Sequence, residues 1–309
     1  MARRRKGNKV DGWILIDKPV GMTSTQVIGR VRRATQAAKL GHGGTLDPEA
    51  TGLLPIALGE ATKTIPWCQD GTKVYRFTVR WGVATTTHDA EGETTATSDI
   101  RPTREAIEAL LPAFVGTISQ IPPVFSALKI DGERAYDLAR RGEVPEMKAR
   151  DITIESLVLI AMPDPDHACF EVTCGKGTYV RALGRDLAEA LGTVGHVPAL
   201  RRTRVGPFLE SMAISVDKLG EYGKEPPPSE VLLPVETALD DIPALAVTET
   251  QAQLLRQGQP VEAPERCNGT VQVHDSKGLV ALGEAADCVL RPLRVFNLNE
   301  KRGHDVDNG

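Results

Sequence analysis

Apolar and polar positions along this chain repeat with two different periods. From Lys73 to Val83, Tyr75, Phe77, Val79 and Trp81 alternate with Arg76, Thr78 and Arg80, which predicts a half-buried strand. Gly12–Asp17, Ile152–Ile160 and Ala168–Cys174 read as further strands, the last two around the turn-like Pro163–His167. Helical spacing takes over where Val27, Ile28, Val31 and Ala34 follow Thr23 and Gln26, a pair placed to form a capping box. Ile107, Leu110, Leu111 and Phe114 share one helical face over Thr103–Phe114. Gly175–Thr178 turns into a helix carrying Val180, Leu183, Leu187 and Leu191, which Gly192 stops. Thr270–His274, Leu279–Gly283 and Val289–Phe296 are short strands separated by turns, the pattern of a small barrel.

Strands outnumber helices and hairpins recur, so the expected class is α+β with a mixed sheet rather than a doubly wound one. At 309 residues the chain is long enough for about two domains. The boundary falls at Gly220–Pro234, where Pro226, Pro227 and Pro228 forbid helix and ladder and predict a stiff linker. Charge changes at the same place. Lys and Arg number 29 against 26 Asp and Glu up to Gly220, and 8 against 15 beyond it. The expected organisation is a basic tail over 1–11, one domain over 12–219, the linker over 220–234 and a second domain over 235–309.

Composition excludes several classes. Hydrophobic residues at 41 % and charged residues at 25 % fit a globular chain and exclude a collagen or a largely disordered protein. Five cysteines without a C-x-x-C point to a reduced, cytoplasmic setting and away from a zinc ribbon. No apolar run approaches a membrane span, so no membrane partner is expected. Basic clusters at Arg3–Lys6 with Lys9, at Arg30, Arg32 and Arg33, and at Arg201, Arg202 and Arg204 offer footholds for phosphates, although a solvated helix face has the same signature.

Nucleotide-loop, dinucleotide, zincin and hydrolase-elbow motifs are all missing, and the histidines lack metal-ligand spacing. What stands out is Gly41–Gly52, GHGGTLDPEATG, whose glycines allow unusual backbone or close approach. Asp47, restricted by the following Pro48, suits a rigidly presented nucleophile or base, and equally suits an Asx-turn. On residue chemistry alone His42 reads as a loop histidine and Tyr75 as a core aromatic. Arg181 sits at a helix start, where the dipole disfavours a cation, which suggests a specific anion beside it and equally allows a plain surface ion pair.

Seven segments in order make the chain resemble the bacterial TruB family of tRNA pseudouridine synthases. They are Asp17–Ser24, Gly41–Gly52, Lys73–Phe77, Ile121–Arg140, Gly175–Leu183, Ala199–Phe208 and Leu290–Leu298, and the resemblance runs from Gly12 to Leu298. It implies a pseudouridine-synthase domain with a mixed, largely antiparallel sheet flanked by helices and loops, then a PUA-like RNA-binding domain. It implies isomerisation of uridine 55 in the T-arm of tRNA, with no cofactor, no metal and no required protein partner, by a monomer. By position Asp47 matches the catalytic aspartate, His42 a residue that steadies the flipped nucleotide, and Tyr75 the aromatic that stacks on uracil. Tyr179, Arg181 and Leu200 match pocket positions, with Arg181 facing the aspartate, where a planar guanidinium is expected to hold the carboxylate bidentately. Lys18 and Pro19 match a motif that buttresses the loop, and 126–150 an RNA-gripping insertion. The chain departs from the family in having Gly43 where threonine is usual, which is expected to loosen the loop. It also has Thr86 where an acid is common, with Asp89 kept. A guide-RNA-dependent relative and a non-catalytic tRNA-binding module are the alternatives.

Overall fold

The computed structural model describes residues 7–126, 128–130, 132–143, 145–220 and 230–298. Most of the basic tail and of the proline-rich segment, together with three positions of the 126–150 insertion, lies outside them. A sheet of ten strands forms the first unit. Its main path runs Ile214–Ser215, Gly12–Lys18, Thr51–Leu58, Gly195–Val205, Lys73–Trp81, His167–Cys174, Arg150–Asp164 and Gly116–Gln120. Two pairings are parallel, Gly12–Lys18 with Ile214–Ser215 and Thr51–Leu58 with Gly195–Val205; the rest are antiparallel. The architecture is therefore α+β with a mixed, largely antiparallel sheet, as the pattern predicts.

Differences from the expected elements have local causes. The strand that begins at Lys73 ends at Trp81, because Gly82 takes φ of +81° and turns the chain away. Val83–Thr85 then pairs with Thr94–Thr97 as a separate hairpin. The helix expected to reach Phe114 is α-helical over Arg104–Leu110 and tightens to 3-10 over Leu111–Phe114, where Pro112 removes a backbone donor. Ser24–Thr35 is helical with the expected capping box at Thr23 and Gln26, and buries Val27 and Val31. Val180–Ala190 is helical and lays Val180, Leu183 and Leu187 on Phe77, Val79 and Trp81, the inward set of the Lys73–Trp81 strand.

The second unit is a five-stranded sheet ordered Ala244–Ala246, Gly269–Asp275, Gly278–Ala286, Val289–Val295 and Val261–Glu262, with the helix Glu249–Arg256 against it. The two sheets share a core: Trp13, Leu15, Leu53 and Phe208 pack with Val235, Leu239, Leu282 and Phe296. Leu233, at the end of the segment read as a linker, exchanges both backbone hydrogen bonds with Trp13 at 2.8 Å. Leu233 thus makes an isolated bridge to the first sheet. No helix among the described residues is long and apolar enough to cross a membrane.

Candidate active site

The segment Gly43–Ala50 joins Leu40–His42 to Thr51–Leu58. It leaves the sheet where Thr51 and Gly52 meet Arg201 and Arg202 in parallel register. Three anchors hold it. Ser24 Oγ donates to the Leu46 carbonyl and accepts from the Leu46 amide, both at 3.0 Å. Lys18, fully buried, donates from Nζ to the carbonyls of Pro19 at 2.8 Å, Met22 at 2.8 Å and Pro48 at 2.9 Å. Burial pushes this ammonium down to about 8, against the pull of the Asp47 and Glu49 carboxylates. Arg202 donates to the carbonyls of Gly44 at 3.0 Å and Leu53 at 2.9 Å, with Thr45 at 3.4 Å. Leu46 and Ala50 are buried beside Val27 and Val31, so the stretch between them projects Asp47 outward.

The side chain of Asp47 meets the helix Val180–Ala190 rather than its own backbone. Arg181 Nε lies 2.9 Å from Asp47 Oδ2, with the Arg181 side chain only 7 % exposed. The same guanidinium reaches Asp89 Oδ2 at 3.2 Å and the carbonyls of Thr87 and Phe125 at 2.7 Å each. The expected bidentate pair is therefore not what forms. Arg181 divides its donors between two carboxylates and two carbonyls, so all three of its nitrogens are engaged. Asp89 is itself held by Thr87 Oγ1 and by the Glu91 amide at 3.0 Å. Beside it His88 takes φ of +58° and lends its carbonyl to the Val197 amide at 3.0 Å. Burial, then Arg185 and Arg181, push the His88 imidazole down to about 4, so the ring is neutral at physiological pH.

Asp47, Glu49, Ala50, Asp89, Arg181, Val197, Pro198 and Leu200 line a narrow cleft of about 10 Å³. The structure thus brings Asp47, Arg181 and Leu200 together in one wall. His42, Tyr75 and Tyr179 stand outside that lining. The His42 ring accepts from the Gly44 amide at 3.3 Å. Tyr75 lies one strand away, cross-strand from Arg202, with Leu200 between the same two apolar clusters. Burial raises its phenol pKa, against the lowering field of Arg202. Tyr179 precedes the Arg181 helix, and Gln120 grips both its backbone groups, accepting from the amide at 2.9 Å and donating to the carbonyl at 3.2 Å. Pro19 is exposed and contributes its carbonyl to Lys18.

Two expectations need correction. Arg201, Arg202 and Arg204 do not form a free cationic patch: Arg202 is 2 % exposed, and Arg201 is tied to Asp17 at 3.0 Å and Glu210 at 2.7 Å. A run of arginines on a strand alternates between faces, and here one face is interior. Nor does Gly43 leave a void, because a Cβ there would stand 2.4 Å from Cys68 Sγ. The thiol fills that space and donates to the Gly43 carbonyl at 3.8 Å. Burial raises this thiol to about 12, so it is an inert packing group. Thr86 is also engaged, closing its hairpin with Glu93 through both backbone and side chain. Sequence reasoning missed Arg202, Gln120 and the full part of Asp89, since a buried polar residue leaves no periodic mark.

Comparison with known proteins gives the family. Residues 32–180 match the family described as TruB family pseudouridylate synthase (N terminal domain). Residues 181–240 match the tRNA pseudouridylate synthase B C-terminal domain, and 243–296 a TruB C-terminal pseudouridine synthase II model. The chain is 56 % identical to tRNA pseudouridine synthase B of Caulobacter vibrioides, covering 96 % of this chain and 100 % of that one. It is 54 % identical to the same-named protein of Bradyrhizobium diazoefficiens, covering 96 % and 91 %. Among solved structures, an H/ACA RNP bound to a substrate RNA containing 2'-deoxyuridine shares the fold, with a TM-score of 0.72 and 23 % identity over 96 % of this chain and 92 % of that one. Matches of this extent, together with an aspartate and an arginine paired at the mouth of a cleft, place the chain in the TruB family of tRNA pseudouridine synthases.

Proposed function

We propose that the chain isomerises uridine 55 in the T-arm of tRNA to pseudouridine, with Asp47 as the catalytic carboxylate. The reaction breaks the glycosidic bond, turns the uracil and rejoins its carbon 5 to the ribose. Atoms are conserved, so the chemistry calls for no redox partner and no transferred group. The uridine must first leave its stack, at a cost of a few kcal/mol, and be received by protein. Tyr75 offers an aromatic face next to the cleft, and such stacking is worth roughly 1–3 kcal/mol per base. His42 and Tyr179 are the further nucleotide-binding residues, and His42 steadies the nucleotide once it is out.

Asp47 is the group that acts on the ribose or base. The observation that carries this assignment is its 2.9 Å contact with Arg181, a cation whose other two nitrogens are both engaged elsewhere. An arginine locked in that way cannot follow the carboxylate, so it sets the position of Oδ2 and leaves Oδ1 for the substrate. Leu200 and the ring of Tyr179 keep water from the detached base. Lys18, through Pro48, and the Pro19 turn support the loop from beneath. The 126–150 segment grips RNA, and its entry at Phe125 is tied to the same arginine. The five-stranded sheet is the PUA-like domain, and the enzyme works in the cytoplasm as a monomer without a required protein partner.

The test is tritium release from uracil-labelled T-arm RNA by the purified chain, with mapping of modified uridines in total tRNA. Turnover of bare RNA at position 55 is expected. Absence of turnover without an added guide RNA would instead favour the guide-dependent alternative. Binding of tRNA with no turnover under either condition would favour the non-catalytic one.

A further inference from the structure

Arg202 is the one fully buried guanidinium among the described residues that has no carboxylate within ion-pair distance. A charge removed from water without a counter-ion is costly and survives only where its hydrogen bonds are well made. Three of its bonds end on backbone carbonyls, and the Tyr75 hydroxyl is a further side-chain partner. Two of those carbonyls, Gly44 and Thr45, open the loop that carries Asp47; the third, Leu53, lies in the strand that closes it. Gly44 suits this turn because it takes φ of +139°, a conformation that L side chains rarely adopt.

The same residue faces Tyr75. In the antiparallel pairing of Gly195–Val205 with Lys73–Trp81, Arg202 is directly opposite Tyr75 and Leu200 directly opposite Phe77. Directly opposed side chains project from the same face with Cβ atoms about 5 Å apart. The guanidinium therefore stands between the start of the Asp47 loop and the hydroxyl of Tyr75. Lys18 and Ser24 hold the loop at Pro48 and Leu46, further along.

We propose that Arg202 is a positioning residue for the reaction: a single buried guanidinium sets the Asp47 loop and the Tyr75 ring in one fixed relation, so that a base stacked on the tyrosine arrives at the carboxylate. The inference rests on the reading that Asp47 and Tyr75 act on the uridine. It does not require Arg202 to touch RNA, and at 2 % exposure it cannot.

Arg202→Lys and Arg202→Gln test it, because each keeps a donor and neither reproduces the planar fork. Single-turnover rate on T-arm RNA is expected to fall by about 10²-fold, the scale of a small misplacement of reacting groups. The dissociation constant for the same RNA should move by less than about threefold, since phosphate contacts dominate affinity. Hydrogen exchange reads the positioning without turnover: protection should drop at the Leu46 and Ala50 amides and persist along Lys73–Trp81. Combining Arg202→Lys with Tyr75→Phe should cost less than the product of the two single effects. A near-normal rate, an unchanged loop exchange pattern, strict multiplicativity, or loss of protection across the whole sheet in both variants would each overturn it. If the wild type itself forms no pseudouridine, the functional reading fails, and the exchange result still decides whether Arg202 fixes the loop.

Discussion

Around the Asp47 loop the interior holds Lys18, Asp89, Arg181 and Arg202, all buried, whereas the interior of the five-stranded sheet is apolar but for Gln272 and the carboxylate of Asp275. The buried cations of the first region bind carboxylates or backbone carbonyls in and around the loop. Asp275 binds its own turn, accepting from the amides of Lys277 at 2.8 Å and Gly278 at 3.1 Å, and pairs with Arg256. Both sheets come from the same apolar patterning and share a core at Trp13 and Leu282. Their difference teaches where stability has been set aside for geometry. A well-packed apolar core would stabilise the first region more than its ion network does. The network instead fixes the direction of each carboxylate, and that is what the chemistry requires.

The change that should break this contrast most completely is Asp47→Asn. The amide keeps the shape of the side chain and a contact to Arg181, yet removes the charge. Pseudouridine formation should fall by at least about 10³-fold, the range of an essential general acid or base. Affinity for tRNA should be nearly unchanged by filter binding. Retained tritium release would reject Asp47 as the acting group.

Arg181→Lys comes next. A lysine ammonium cannot reach Asp47, Asp89 and the carbonyls of Thr87 and Phe125 together, so Asp89 is left buried and unpaired. Breaking such a pair costs about 3–5 kcal/mol. Turnover should drop by about 10²-fold, and the melting temperature should fall with it. A rate loss at unchanged stability would mean that the lysine preserves the Asp89 contact and loses only that to Asp47.

Much of this region is legible from the chain alone, and the limits are instructive. The capping box of Thr23 and Gln26, the inward set of the Lys73–Trp81 strand and the stop at Gly192 are local effects, so local pattern finds them. The anion beside Arg181 is foreseeable from the helix dipole. Arg202 is not, because burial of an arginine depends on the parallel crossing of Thr51–Leu58 and Gly195–Val205, which no short window contains. Gly43 misleads for the same reason. Its missing side chain suggests looseness until Cys68, from a helix 25 residues on, is seen to occupy the space.

That interlock gives a third expectation. Gly43→Thr restores the residue usual in the family but drives a Cβ onto the Cys68 sulfur. Overpacking of this kind costs about 1–3 kcal/mol. Activity should decline about tenfold as the loop shifts, and Cys68→Ala in the same chain should recover most of it. A Gly43→Thr protein as active as wild type would show that the thiol moves aside without effect on the loop.

Lys18 adds a dependence on pH. Its ammonium titrates near 8, below the usual 10.5, because it is buried. Between those values the unfolded chain binds the proton that the folded one has released, so this residue's contribution to stability rises with pH across the window. Activity should move the opposite way. Above about pH 8 the amine has two protons for the carbonyls of Pro19, Met22 and Pro48, and the grip on the loop weakens. The wild-type rate should show an alkaline limb that is absent from the slower Lys18→Met.

The smallest effects belong to the five-stranded sheet, and they sharpen the comparison by their confinement. The Asp275 pKa is lowered although burial opposes it, because Arg256 and the Lys277 and Gly278 amides bind the charged form. A depressed carboxylate supports the fold above its unfolded pKa of 3.8 and gives up that support as pH falls through the lower, folded value. Asp275→Asn should therefore cost a modest amount of stability at neutral pH, on the order of 1 kcal/mol for the turn and its partly exposed ion pair. The deficit should shrink below pH 4 in thermal scans, where the wild-type carboxylate is protonated as well. Pseudouridine formation at 25 °C should be unaltered, since no bond from Asp275 reaches the first sheet. A turnover defect in that variant would show that the two sheets communicate through their shared core at Leu282, and that charge in the second region is as bound to the reaction as charge in the first.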